Sequence, residues 1–224
     1  MRNFFTTVFL LSISLLGLKA ADVAPGVYKV TSYAAQKKIL SVLNSAPDNS
    51  AKINIWTDTE ANSQYWRIEK DESSDFYYIT NINSGLALYM PKSTTGTNII
   101  QYPKSTRKNC KWEILPVDDA SFPNGYYITS EALASGTNKL FLETADKVDG
   151  SLVSIVKKKE LTDASADLQI WKIEQVEEPS TTLTEEMRDN MMKKWKTQYY
   201  SNRVSYSGAR ILDGGWWGDA EMFE

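Results

Sequence analysis

The sequence of 224 residues contains no histidine and one cysteine, Cys110. The first absence removes imidazole acid–base work, histidine-dependent triads and histidine zinc sites together. The second rules out an intrachain disulfide, and a cysteine nucleophile would lack an imidazole to activate it. Cys110 therefore reads as a small buried apolar residue. Any catalysis would have to rest on carboxylates, which suit glycoside chemistry. One adjacent aspartate pair, Asp118-Asp119, lies in a polar stretch at residues 118–125 that reads as a turn, so it is given no catalytic role. No cofactor and no metal ion is called for. A net charge of −3 without a basic, aromatic-rich stripe excludes nucleic acid as the expected partner. Lys157-Lys158-Lys159 reads as a solvated turn.

The elements that would carry such residues come in three copies. Each copy opens on a tyrosine in a β-like run: Tyr28-Lys29-Val30-Thr31, Tyr77-Tyr78-Ile79-Thr80 and Tyr126-Tyr127-Ile128-Thr129. Each closes on a tryptophan: Gln64-Tyr65-Trp66, Cys110-Lys111-Trp112 and Gln169-Ile170-Trp171. Tyr28 to Tyr77 and Tyr77 to Tyr126 are each 49 positions apart. A fixed period of that size means one structural unit built three times. The copies span about 26–69, 76–115 and 125–174, with polar turns between them. Short alternating runs within them, such as Ile53, Asn54 and Ile55, predict strands, and no window within the copies holds a helical stripe. Threefold repetition of short strands predicts an all-β, closed barrel, since closure removes exposed edges. Trp66, Trp112 and Trp171 are expected in its core, and Gln64 and Gln169 are expected to bond neighbouring backbone groups.

Three units that close on Gln-x-Trp, each opened by a Tyr-x-Ile/Val strand, resemble the ricin-type β-trefoil lectins. The second unit departs by placing Cys110 where the glutamine would be. The resemblance implies a β-trefoil of twelve short strands over about 26–174. It also implies one shallow sugar site per repeat. An acidic residue follows a mid-repeat leucine, an aromatic ring lies further on, and an asparagine precedes Gln-x-Trp. The ring stacks on the apolar face of a sugar, while carboxylate and amide bond its hydroxyls.

Carried over residue by residue, no repeat keeps the full set. In the first, Ser41 takes the acidic place, Trp56 is the ring and Ser63 replaces the asparagine. In the second, Tyr89 takes the acidic place, Tyr102 is the ring and Asn109 the amide. In the third, Glu143 keeps a carboxylate, but Val156 lacks a ring and Leu168 an amide. The resemblance thus implies carbohydrate-binding roles for Tyr102, Asn109, Trp56 and Glu143. The second repeat leads because it alone keeps both ring and amide.

The two ends of the chain read differently. Residues 1–20 combine Arg2, an apolar run from Phe4 to Leu18 and the small residue Ala20, which is the pattern of a secretory signal. Near the other end, Thr182-Leu183-Thr184-Glu185 reads as a capping box. Leu183, Met187, Met191, Trp195 and Tyr199 then recur every four residues as one apolar helix face. Gly214-Gly215-Trp216-Trp217-Gly218-Asp219-Ala220-Glu221-Met222-Phe223-Glu224 resembles the start of the family-76 glycoside hydrolases, endo-α-1,6-mannanases of α/α-barrel fold. Their catalytic pair of adjacent aspartates falls later than Glu224, so this chain itself is expected to be non-catalytic.

The expected organisation is a signal peptide (1–20), a carbohydrate-binding β-trefoil (21–178) and a helical segment (179–224) that begins a truncated α-mannan-degrading hydrolase. The expected partners are glycans, α-mannan or a galactose-containing polysaccharide, bound by a monomer without a membrane span that is secreted or periplasmic/cell-surface. The alternatives are a free-standing lectin-like protein with a helical tail, or a protein-interaction or protease-inhibitor trefoil.

Overall fold

The computed structural model describes residues 22–133 and 139–179. The expected signal segment and the helical segment beyond Pro179 lie outside the described residues. The first repeat forms β1 (Gly26–Ser32), β2 (Lys38–Val42), β3 (Ile53–Thr57) and β4 (Trp66–Lys70). The second forms β5 (Tyr77–Asn81), β6 (Ala87–Tyr89), β7 (Thr97–Asn98), β8 (Ile100–Tyr102) and β9 (Lys111–Pro116). The third forms β10 (Gly125–Ser130), β11 (Leu140–Thr144), β12 (Val153–Lys157) and β13 (Trp171–Val176).

Six of these strands close a barrel. β1 pairs β4, β4 pairs β5, β5 pairs β9, β9 pairs β10, β10 pairs β13, and β13 returns to β1, all antiparallel. The remaining strands form a hairpin in each repeat: β2–β3, β6–β8 and β11–β12. The hairpins are tied to one another by β7–β12 pairing and by bridges Lys52–Ile100 and Asn54–Leu152. Thirteen strands appear where twelve were expected, because the third strand of the second repeat is broken at Ile99. That residue turns its backbone to both other repeats: its carbonyl accepts from Ile53 N at 3.0 Å and its N–H donates to Val153 O at 2.9 Å.

The core follows the repeat. Trp66, Trp112 and Trp171 are fully buried, each covering about 200 Å² of apolar surface. A buried indole N–H needs an acceptor, and each finds the carbonyl of the mid-repeat leucine: Leu40 at 2.9 Å, Leu88 at 3.0 Å and Leu142 at 3.0 Å. The glutamines bind backbone as expected. Gln64 accepts from Thr59 N at 2.9 Å and donates to Thr57 O at 2.9 Å; Gln169 accepts from Lys159 N at 2.9 Å and donates to Lys157 O at 2.7 Å. In the second repeat Cys110 is buried in the glutamine's place, near Ser105 Oγ at 3.3 Å. Among the described residues no helix is long and apolar enough to cross a membrane.

Candidate functional site

The strand pairing places the three sets of site positions in the same register. Ser41 stands opposite Asn54, Tyr89 opposite Ile100, and Glu143 opposite Ser154. The ring position comes two residues later on the same outer strand, at Trp56, Tyr102 and Val156. The amide position lies in the single 3-10 turn before each closing tryptophan, at Ser63, Asn109 and Leu168.

The first repeat holds a cleft of about 210 Å³ lined by Ser41, Asn44, Ser45, Asn54, Trp56, Ser63 and Gln64. Trp56 is 43% exposed beside it, although its pairing partner Ile39 is buried. Asn54, between the two core isoleucines of the alternating β3 run, is 1% exposed, and its Oδ1 has no hydrogen-bond partner. A buried amide oxygen without a donor is costly unless something else supplies one. Across the cleft, Ser45 and Ser63 share a hydroxyl bond of 2.8 Å. Asn44 and Ser45 both adopt positive φ, 58° and 51°, which bends the chain sharply after β2. The site is therefore an exposed ring over a small polar floor, with hydroxyls and an amide but no carboxylate among its lining residues.

The second repeat brings Tyr102 and Asn109 to the expected places but engages both. The rings of Tyr89 and Tyr102 pack with centroids 5.1 Å apart and tilted by 31°. The residue in the acidic place thus covers part of the ring that a sugar would use. Asn109 donates its Nδ2 to Met90 O at 2.7 Å and accepts from Met90 N on its own carbonyl at 3.1 Å. Tyr102 still exposes 37% of its surface.

In the third repeat Glu143 pairs with Lys159 at 2.8 Å, and Val156 offers no ring above it. Its carboxylate is neutralised by its own repeat. Trp56, Tyr102, Asn109 and Glu143 thus lie in three separate hairpin sites. Among the described residues the exposed large apolar side chains are Trp56, Tyr102 and Val148, so two of three are ring positions. No cluster of acidic or cysteine side chains that could hold a metal occurs among the described residues.

Residues 18–102 match the model of the ricin-type beta-trefoil lectin domain-like family. The β domain has a β-trefoil fold. Solved structures share its fold. The designed threefold-symmetric protein ThreeFoil is 23% identical, with a TM-score of 0.57, over 67% of this chain and 99% of that one. An exo-beta-1,3-galactanase from Clostridium thermocellum is 26% identical, with a TM-score of 0.57, over 67% of this chain but 30% of the enzyme. The Macrolepiota procera ricin B-like lectin, solved in complex with lactose, is 19% identical, with a TM-score of 0.52, over 70% of this chain and 100% of the lectin. No protein of curated function matches the chain. Within the trefoil, Asn54 and the Asn44-Ser45 bend are the site features that sequence reasoning missed. The available signal was an asparagine between two buried isoleucines two positions before an exposed tryptophan.

Proposed function

We propose that the trefoil is a secreted carbohydrate-binding module whose leading site is the first-repeat cleft. The observation that carries this is the exposed Trp56 ring beside the unpaired amide oxygen of Asn54. A ring can stack on a sugar's apolar face, and the polar floor can exchange hydrogen bonds with hydroxyls. The amide oxygen accepts one hydroxyl proton, and the serine hydroxyls can donate or accept. Without a carboxylate the contacts stay uncharged, so affinity is modest, on the order of millimolar, about −4 kcal/mol. In the second repeat Tyr89 and Met90 already engage Tyr102 and Asn109, so that position binds no sugar until it is cleared, and Glu143 is a carboxylate without a stacking partner. The ligand class is a neutral glycan containing galactose or mannose.

The same reading extends to the chain ends. Residues 1–20 direct the protein out of the cytoplasm, and the segment from 179 begins an α-1,6-mannan-degrading domain, so the trefoil serves to hold the enzyme on its polymer. The galactanase supports this arrangement, since a trefoil of this fold occupies 30% of that enzyme. A glycan array probed with the purified protein tests the binding claim. Selective capture of mannose- or galactose-terminated glycans is expected, and a blank array contradicts it. Incubation with α-1,6-mannan should release no product from this chain, because the trefoil acts as a binding module; steady release would contradict the assignment.

A further inference from the structure

The strand that carries Trp56 is fastened by a turn from another repeat. The residues flanking Trp56 on β3 are both held by residues 149–151. Ile55 donates its N–H to Ser151 O at 2.9 Å and accepts from Gly150 N at 2.9 Å. On the other flank, Asp149 Oδ1 accepts from Thr57 N at 2.6 Å and from Thr57 Oγ1 at 3.0 Å. Lys38, opposite Thr57 on β2, closes the arrangement by donating to the same carboxylate oxygen at 2.8 Å. Gly150 has φ +84°, a backbone conformation that favours glycine. A Cβ there would lie 3.7 Å from Cζ3 of the Trp56 ring, so the turn lies near the ring as well as the strand.

We infer that the Asp149-Gly150 turn of the third repeat positions the Trp56 ring for its ligand, so that glycan binding in the first repeat depends on the third. The inference rests on Trp56 being the stacking platform of the proposed site. An exposed tryptophan on an outer strand can sample several rotamers, and each one lost on binding costs affinity. Fixing both neighbours of Trp56 and setting the turn beside its ring restricts that freedom beforehand. The carboxylate is suited to the task. The hydrogen bond from Lys38 leads in holding Asp149 below the usual carboxylate range; burial opposes it, and the bonds from Thr57 add to it. Asp149 therefore stays ionised at neutral pH. It is a positioning residue, since its oxygens are engaged by Thr57 and Lys38.

The test uses the full chain labelled with 5-fluorotryptophan, the Trp56 resonance being identified by its loss in Trp56→Phe. Lactose is the probe, titrated into the wild type, Asp149→Ala and Asp149→Asn. In Asp149→Ala the Trp56 fluorine resonance is expected to move or broaden while those of Trp66, Trp112 and Trp171 stay in place. The lactose Kd should rise about tenfold. Asp149→Asn keeps an acceptor for Thr57 and should show the same changes at smaller size; it carries both readouts if Asp149→Ala does not fold. An unmoved Trp56 resonance in a folded variant overturns the inference, as does a moved resonance with unchanged Kd. Failure of the wild type to bind lactose or any glycan would instead sink the sugar-platform reading, while the fluorine spectra would still show whether the turn holds the ring.

Discussion

Tyr77 and Trp112 stand directly opposite each other where β5 pairs with β9. The same relationship joins Tyr28 to Trp66 and Tyr126 to Trp171. The residue that opens each repeat is thus set against a residue that closes a repeat, and the barrel shuts along those pairs. Trp112 is fully buried, and its N–H reaches Leu88 O. Trp112→Ala removes the ring and leaves that carbonyl unpaired, so a loss of about 3–5 kcal/mol is expected. Urea unfolding followed by circular dichroism measures it. A loss under about 1 kcal/mol would mean that the tryptophan is not a core pillar.

The glutamine and the cysteine at equivalent positions should differ in worth. Gln64 joins Thr57 O to Thr59 N, and Thr59 Oγ1 also donates to it at 2.9 Å. Gln64→Ala leaves those groups without their partner and is expected to cost about 1–3 kcal/mol. Cys110 has only weak sulfur contacts, 3.3 Å to Ser105 Oγ and 3.9 Å to Pro103 O. Cys110→Ala should cost about 1 kcal/mol or less. Equal losses of melting temperature in the two variants would contradict this account of the repeat closings.

Acid stability should depend on Asp71. Its carboxylate accepts from Ser74 Oγ at 2.6 Å, Ser73 Oγ at 2.7 Å and Lys111 Nζ at 3.1 Å. The Ser74 bond leads, Ser73 follows, burial opposes, and Lys111 adds, so the carboxyl sits well below its usual range. A depressed folded value contributes stability above the ordinary carboxylate pKa of about 4, and that stability is lost as the pH falls below it. Asp71→Asn should be less stable than the wild type at neutral pH. Its melting temperature should also fall less on going from about pH 5 to about pH 2. Parallel pH curves for the two proteins would show that Asp71 does not drive the acid limb.

The second repeat can be tested by gain. Tyr89 occupies the acidic place and packs on Tyr102. Tyr89→Asp uncovers the ring and returns a carboxylate opposite Ile100. A second binding event should then appear in a calorimetric titration with lactose. A titration curve identical to that of the wild type would mean that Tyr102 and Asn109 do not make a sugar site even when complete.

Much of this was legible in the residues. Period, strand alternation and the closing tryptophans gave a threefold closed barrel, because each depends only on chain-local spacing and burial. The site positions also fell in register, since Ser41, Tyr89 and Glu143 follow the very leucines that accept the indole bonds. What could not be read was set by other repeats. Asn54 looks outward by alternation, yet the bridge to Leu152 and the neighbouring hairpin bury it. Nor does the spacing of Tyr89 from Tyr102 reveal that the two rings would stack and fill their own site. The hold of Asp149 on Thr57 spans 92 positions and has no local signal.

Glycan binding at the first-repeat cleft is tested by an NMR titration of the wild type and Trp56→Ala with galactose and mannose oligosaccharides. Trp56 is exposed and outside the core, so the variant should fold and melt within a few degrees of the wild type. Wild-type amide signals around Ser41, Asn54 and Ser63 are expected to shift on titration with a Kd on the order of millimolar. In Trp56→Ala those shifts should be lost or weakened by about tenfold or more. Undiminished binding by a folded Trp56→Ala protein would contradict it and move the glycan site away from the first repeat.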